Sequence, residues 1–210
     1  MTIANMVKYA QTKYGCSDHQ VFVVGHSSGA MLTQALGATY PDIFIAGAAY
    51  SGVPAGCFHT DKAQGPDWNS TCSGGKLDQP PEYWGQQAKA MYPVSSLTAF
   101  NRTSYAPVSD LFFSVRVRNV QAYKGPWTRM MLVHGKQDPV INFNDHREAV
   151  KQWTYLHNLN PDQPTKRYKD QSQPNYEISV YGSSVMAVAA EGVTHSIPAK
   201  VDMTCTFFGI

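Results

Sequence analysis

A serine between two glycines is the first feature of the chain that could carry chemistry. The pentapeptide GHSSG, residues 25–29, follows the short apolar run 21–24 and precedes residues 30–36, which are good helix formers. A strand, GxSxG and a helix in this order form a nucleophile elbow, a tight turn that lifts a serine hydroxyl above the end of its strand. This order predicts that Ser27 is a nucleophile. A chance GxSxG in a Gly/Ser-rich turn is the alternative.

The residues around Ser27 are predicted to build the turn and to stabilise negative charge. Gly25 and Gly29 would flank the serine because a tight turn leaves no room for side chains beside it. The helix that follows points its N-terminus at the serine, so the backbone N–H of Ser28 could donate to an oxyanion. His26 lies inside the turn, where we expect it to line the site.

A serine nucleophile needs a base, and the base needs an orienting acid. On the fold that uses this elbow, the acid and then the histidine follow the serine along the chain, each after a strand. Asp138 follows the apolar run 130–133, and His195 lies in the small-residue loop EGVTHS, so both fit this order. Asp145 is the rival acid, although its position is typical of a helix N-cap.

The remaining histidines fit the order less well, because they precede the elbow strand, lie in a loop or on a helix, or adjoin a glycine. A metal site made of His134, Asp138 and His195 is a further alternative, but it lacks any paired-ligand spacing, and we expect no metal. The histidines set aside as the base are His19, His59, His134, His146 and His157.

The elements that must position these residues alternate between strands and helices. This alternation predicts an α/β sheet with parallel strands. The length favours one domain over 1–210, with a small second domain as the alternative. Residues 53–83 are predicted to be a long loop, and residues 158–176 are polar and broken by prolines. Predicted helices cover 2–14, 30–36, 84–91 and 145–157, with a last short one near the end; predicted strands cover 21–24, 44–50 and 130–133, with a hairpin over 176–181 and 185–190.

Composition excludes several classes of function. The chain has 210 residues, of which 43% are hydrophobic, enough to bury a core. A net charge of +2 and the absence of long basic runs argue against a nucleic-acid partner. No apolar stretch reaches the roughly 18 residues of a membrane-spanning helix, and the first 20 residues show no signal-peptide pattern.

Four cysteines and two glycosylation sequons point to an oxidising compartment. Cys57 and Cys72 flank a loop rich in Gly, Pro, Asn and Ser, and a disulfide closing it would contribute about 3 kcal/mol of stability. The sequons begin at Asn69 and Asn101. Trp84 and Trp127 are candidates to line a sugar-binding cleft, with buried packing as the alternative for each.

Several segments together resemble one family. VFVVGHSSGAM, ATYPDIFIAGAAYSGVPAGCF, WNSTC, YWG, MMLVHGKQD and EGVTHSIP are similar to fungal carbohydrate esterases of family one. That family holds secreted acetylxylan and feruloyl esterases and is similar to polyhydroxybutyrate depolymerases. The resemblance implies an α/β-hydrolase fold without a cofactor. It also implies Ser27 as nucleophile, Asp138 as acid, His195 as base, and a Cys57–Cys72 disulfide.

The implied function is removal of acyl groups, acetyl first, from xylan-type plant cell-wall polysaccharide or small esters. The expected protein is secreted and monomeric, with no nucleic-acid or membrane partner. Feruloyl esterase and polyester depolymerase are alternatives within the enzyme class, with a serine peptidase ranked behind them. An inactive hydrolase-like fragment or binding module is the alternative outside it.

The chain departs from the family pattern in two places. The elbow comes early, which predicts that N-terminal strands and a signal peptide belong to a longer protein, because one such strand pairs with the elbow strand and leads to a second oxyanion donor. Residues 94–121 interrupt a stretch that the family keeps short. Val94-Ser95 can be encoded by GTAAGT and Gln121 by CAG, so a retained intron is one hypothesis and a genuine surface loop is the other.

Overall fold

One mixed sheet organises the part of the chain that the structure describes. The computed structural model describes residues 2–59, 68–92, 123–170 and 173–210, so the insert at 94–121 and the Asn101 sequon lie outside the described residues. Within these residues the sheet has six strands in the order β1-β2-β3-β6-β5-β4. These strands are β1 (Phe22–His26), β2 (Ala46–Tyr50), β3 (Arg129–Gly135), β4 (Lys166–Lys169), β5 (Tyr176–Tyr181) and β6 (Val185–Ala190).

Four neighbouring strands of this sheet are parallel. Val24 is opposite Ala48, Ala48 is opposite Met131, and Met131 is opposite Met186, so β1, β2, β3 and β6 run in one direction. β5 pairs antiparallel with β6, and β4 pairs antiparallel with β5. The carboxyl ends of the four parallel strands therefore meet at one edge, where ligands bind in open α/β sheets.

Helices cover both faces of the sheet. They are α1 (Thr2–Tyr14), α2 (Ser28–Thr39), α3 (Ser70–Ser73), α4 (Pro81–Met91), α5 (Phe143–Leu156) and α6 (Val201–Phe208). The helices α2, α4 and α5 pack together on one face, and α6 packs on the other beside β2. Helix α1 joins a small cluster with the end of α2 and the segment before β2.

The alternation of side chains along β3 divides the core into two layers. Met130 and Leu132 pack into the cluster beneath α2 and α5, while Met131 and Val133 pack with Phe207 on the opposite face. All four β3 side chains are at most 2% exposed. A strand buried on both faces needs a continuous apolar run, which is why MMLV predicts β3 correctly.

Most of the elements predicted from the sequence are confirmed. Two stretches that were predicted to be irregular contain helices or a strand. The short helix α3 lies inside the region predicted to be a loop, and α4 begins there. Strand β4 lies inside the polar stretch 158–176. No helix of the described residues is both long and apolar enough to span a bilayer.

Candidate active site

Ser27 lies at the turn between β1 and α2 in a strained backbone conformation. Its φ is 56° and its ψ is −120°, a conformation that costs a residue other than glycine about 1–3 kcal/mol. Three backbone hydrogen bonds hold the turn: the Ser27 N–H donates to the carbonyl of Tyr50, and the N–H groups of Ala30 and Met31 donate to the carbonyl of Ser27. The structure thus has the geometry expected of a nucleophile elbow.

The two elbow glycines differ in how much space a side chain would have. A Cβ on Gly25 would collide with the backbone carbonyl of Gly29, so only glycine fits at residue 25. A Cβ on Gly29 would meet no described atom within 4 Å. The steric reason predicted for both glycines is therefore seen at Gly25, whereas the described residues leave room for a Cβ at Gly29.

The structure brings three predicted side chains into one chain of hydrogen bonds. His195 Nε2 lies 2.8 Å from Ser27 Oγ, and His195 Nδ1 lies 2.8 Å from Asp138 Oδ2. A carboxylate only accepts hydrogen bonds, so Nδ1 carries the ring proton and Nε2 of the neutral ring is free to accept from the serine hydroxyl. This is the tautomer that a base acting on Ser27 requires.

The carboxylate of Asp138 is held on both of its oxygens. Oδ1 accepts from the N–H groups of Val140 and Ile141 at 2.8 and 2.9 Å. Oδ2 accepts from His195, and His134 Nε2 lies 3.2 Å from it. Burial alone would raise the pKa of Asp138, but the hydrogen bonds from His134, Ile141, His195 and Val140 hold that pKa well below its usual range. Asp138 is therefore an ionised, fixed acceptor.

The loops that carry the acid and the histidine are joined to each other. The N–H of Gln137 donates to the carbonyl of Val193 at 3.0 Å, and the side-chain carbonyl of Gln137 accepts from the N–H of Gly192 at 2.6 Å. A Cβ on Gly135 would collide with the carbonyls of Val193 and Thr194, so the close approach requires glycine here. Sequence reasoning missed this junction, because its residues are adjacent only in space.

Comparison with known proteins identifies relatives along nearly the whole chain. A probable acetylxylan esterase A from Aspergillus clavatus is 36% identical over 208 residues, which are 99% of this chain and 58% of that protein. Acetylxylan esterase A from Aspergillus ficuum is 34% identical over 208 residues and is covered over 59% of its length. The solved acetyl xylan esterase from Aspergillus awamori superposes with a TM-score of 0.83 at 36% identity, over 99% of this chain and 66% of that one.

Over nearly its whole length the chain is a homologue of acetylxylan esterases. Its structural match confirms the α/β-hydrolase fold. The chain spans less than two thirds of the length of the curated relatives named above. No protein-family model matches it.

Ser28 and His26, the other two predicted site residues of the elbow, lie on either side of Ser27. Ser28 is the first residue of α2, where backbone N–H groups have no acceptor within the helix and can donate to an anion. His26 is exposed at the end of β1, and its ring centroid is 5.1 Å from that of His195. His26 Nε2 lies 2.8 Å from the backbone carbonyl oxygen of His195, so this nitrogen donates.

Neither of the two tryptophans considered for a sugar cleft is an exposed side chain. Trp84 is 1% exposed and its Nε1 donates to Glu148 Oε2 at 2.6 Å, so it is a core residue. Trp127 is partly buried and precedes β3, whose length places the start of the strand roughly 20 Å from its carboxyl end. For Trp84 the structure thus shows the alternative of buried packing, and a substrate-lining role of Trp127 stays a prediction.

The disulfide implied by the family resemblance is present in the structure. Cys57 and Cys72 are bonded, whereas Cys16 and Cys205 are free thiols. Asn69 caps α3: its Oδ1 accepts from the N–H of Cys72, and its Nδ2 donates to the carbonyl of Cys57. Asn69 therefore has a structural role beside the disulfide, and its glycosylation stays a prediction.

The rival acid, Asp145, is buried and is not the N-cap of its helix. Asn142 caps α5 by accepting from the N–H of Asn144 at 2.9 Å, and Asp145 follows one turn later at 1% exposure. Neither carboxylate oxygen of Asp145 has a hydrogen-bond partner among the described residues. Burial first, and then the charges of Glu148 and Asp138, raise the pKa of Asp145 to about 8.

Proposed function

We propose that this chain carries the reacting groups of a serine esterase that removes acetyl groups from xylan. The observation that carries the proposal is the unbroken chain of hydrogen bonds from Ser27 through His195 to Asp138, on a strained turn at the carboxyl edge of the sheet. The substrate class comes from the relatives, which are named acetylxylan esterases.

The first half of the reaction transfers the acetyl group to the protein. Ser27 Oγ attacks the ester carbonyl while His195 Nε2 takes the serine proton. The carbonyl oxygen becomes an oxyanion that accepts from the N–H of Ser28, and ionised Asp138 stabilises the imidazolium. The intermediate then collapses, His195 gives its proton to the leaving sugar oxygen, and an acetyl ester on Ser27 remains.

The second half returns the protein to its starting state. His195 Nε2 takes a proton from water as the water oxygen attacks the acetyl carbonyl. The second oxyanion collapses, acetate leaves, and the proton on His195 returns to Ser27 Oγ. Each step uses the same groups, so the rigid hold on His195 and Asp138 serves both halves.

The wider assignments belong to the same proposal. Residues 1–210 form part of one hydrolase domain, and the protein acts outside the cell on acylated polysaccharide. A disulfide in a loop supports an oxidising compartment, since thiols stay reduced in the cytosol.

The test is release of acetate from acetylated xylan by the natural protein. We expect acetate release by the wild type and none above background by Ser27→Ala, with Ser70→Ala, an exposed serine on α3, as the matched control. Feruloylated arabinoxylan and polyhydroxybutyrate are assayed in parallel. Faster release of ferulate or hydroxybutyrate than of acetate would replace the acetyl assignment, and equal activity of wild type and Ser27→Ala would refute the serine mechanism.

A further inference from the structure

Several hydrogen-bond donors meet at the backbone carbonyl oxygen of His195. Its oxygen accepts from His26 Nε2 at 2.8 Å, from Ser51 Oγ at 3.0 Å and from the N–H of Ile197 at 2.9 Å. A carbonyl oxygen has two lone pairs, and most such groups in proteins have one or two donors. Two of the three donors here are side chains, and they come from the ends of two neighbouring strands.

Ser51 directly follows β2 and holds an uncommon backbone conformation. Its φ is 54°, in the left-handed region that residues other than glycine seldom adopt. Its N–H donates to the carbonyl of Val133 at 2.8 Å, and the residue is fully buried. Strain of this kind persists where the surrounding contacts determine it, and it concentrates at functional sites. Here the strained turn aims the hydroxyl at the carbonyl of His195.

His26 reaches the same carbonyl from β1. It directly precedes Ser27, so the residue that donates to the backbone of His195 and the residue that donates to its ring are neighbours in sequence. His26 is exposed, so burial does not explain its orientation. The hydrogen bond does.

His195 needs such an anchor because it lies on a loop. Thr194 and Ser196 on either side are exposed, and the His195 side chain itself is 17% exposed. Movement of a catalytic group by about 1 Å can cost on the order of 10²-fold in rate. The bond to Asp138 fixes the ring at one nitrogen, but the main chain must also be fixed if Nε2 is to meet Ser27.

We propose that His26 and Ser51 are positioning residues that clamp the main chain of His195, so that its ring bridges Ser27 and Asp138. This inference rests on the proposed function. Neither residue takes part in proton transfer to the substrate. Their effect is to keep His195 Nε2 within hydrogen-bond distance of the serine hydroxyl throughout the reaction.

The test removes each donor and measures how reactive Ser27 is. The variants are His26→Leu and Ser51→Gly in the natural protein; glycine removes the hydroxyl and suits a φ of 54°, so the backbone is relieved of strain and folds. The readouts are kcat and KM for 4-nitrophenyl acetate, and the rate of inactivation by diethyl 4-nitrophenyl phosphate. Inactivation reports on the activation of Ser27 without depending on polysaccharide binding.

We expect each variant to lose roughly ten- to 10²-fold in kcat and in inactivation rate, with KM nearly unchanged. The double variant should lose less than the product of the two losses, because both donors act on one carbonyl. His26→Gln places an amide nitrogen near the position of Nε2 and should recover most of the rate. The downfield NMR resonance of the proton between His195 and Asp138 should broaden in His26→Leu and return in His26→Gln.

Matched controls are His19→Leu and Ser17→Ala, two exposed residues before β1, which should change neither rate. If the wild type reacts and both clamp variants keep their rates within twofold, the positioning role is overturned while the proposed function stands. If Ser51→Gly is fully active and only Ser51→Ala is slow, relief of strain rather than the hydroxyl decides the rate, which also overturns it. A wild type whose Ser27 does not react would instead overturn the proposed function.

Discussion

At the scale of single residues, Asp138 explains how a loop histidine keeps one tautomer. Two backbone N–H groups occupy its Oδ1, and two imidazole N–H groups face its Oδ2. Because these contacts lower the pKa of Asp138, the stability they contribute is present near neutral pH and is lost in acid as the carboxylate is protonated.

Replacing Asp138 by asparagine should therefore damage catalysis far more than folding. The amide keeps an oxygen for the N–H groups of Val140 and Ile141, but its NH₂ group would face the N–H of His195 and force the wrong tautomer. We expect kcat for 4-nitrophenyl acetate to fall by roughly 10³- to 10⁴-fold. Circular dichroism should show an intact fold, and Asp162→Asn, an exposed control, should keep full activity. A loss smaller than tenfold would contradict the role of Asp138.

At the scale of elements, the start of α5 carries a buried acid that works against folding. Burial raises the pKa of Asp145 from the ordinary aspartate value of 3.8 to about 8 in the folded chain. A raised pKa means that the folded state holds its proton while the unfolded state releases it. The cost is absent below about pH 4, grows as the pH rises, and levels off near pH 8. The sulfur atoms of Cys57 and Cys72 lie within 4.8 Å of the carboxylate and cannot offset this cost as a charge would.

Asp145→Asn should accordingly stabilise the protein at neutral pH. The shift from 3.8 to about 8 corresponds to roughly 4 kcal/mol at pH 7 as an upper value. Urea unfolding at pH 7 should show a larger free energy of unfolding for the variant, and the gain should vanish at pH 3.5. Asp162→Asn serves again as the exposed control. A variant that is less stable than the wild type at pH 7 would show that the ionised carboxylate has a partner.

The disulfide between Cys57 and Cys72 also affects stability at the scale of elements. Cys57 and Cys72 are 15 residues apart, and in the chain-entropy model a loop of this length contributes about 3 kcal/mol by restricting the unfolded state. The double variant Cys57→Ala/Cys72→Ala should lose about this much in urea unfolding, and reductant should not destabilise it further. The free Cys205→Ala is the control. An unchanged free energy of unfolding would contradict a stabilising role.

Local sequence predicted the elbow well, because an apolar strand, the GHSSG turn and a helix former each act over a few residues. Asp138 and His195 followed from their order after strands. Strand β4 was not predicted, since KRYK is largely exposed and becomes a strand only by pairing with β5. The proposed clamp of His26 and Ser51 on His195 could not be predicted either, because Ser51 and His26 are 144 and 169 positions from His195 in the sequence. The sequence could not decide between the two alternatives for Trp84, because its burial depends on the packing of α4 against α5.

At the scale of the whole molecule, β1 lies at the edge of the described sheet, and Ser27 directly follows it. Val24 on this strand is 55% exposed, and an unpaired apolar edge is a template for pairing with another strand. A further strand on this side would cover the edge and support the elbow.

The 210-residue chain expressed by itself should therefore self-associate through β1. Light scattering after size-exclusion chromatography should show species above 23.2 kDa, and Val24→Lys should shift them toward the monomer. Val140→Lys, an exposed residue after β3, is the matched control. A wild-type chain that stays monomeric at high concentration would contradict this expectation and agree with the monomer predicted from sequence.

The proposed esterase depends on activation of Ser27 by His195, and covalent labelling measures that activation. The natural protein is treated with diethyl 4-nitrophenyl phosphate, and the adduct is located by peptide mass spectrometry. We predict a single adduct on Ser27, loss of ester hydrolysis in step with labelling, and labelling slowed by orders of magnitude in His195→Ala. Labelling of another residue, or hydrolysis that persists after Ser27 is fully modified, would contradict it.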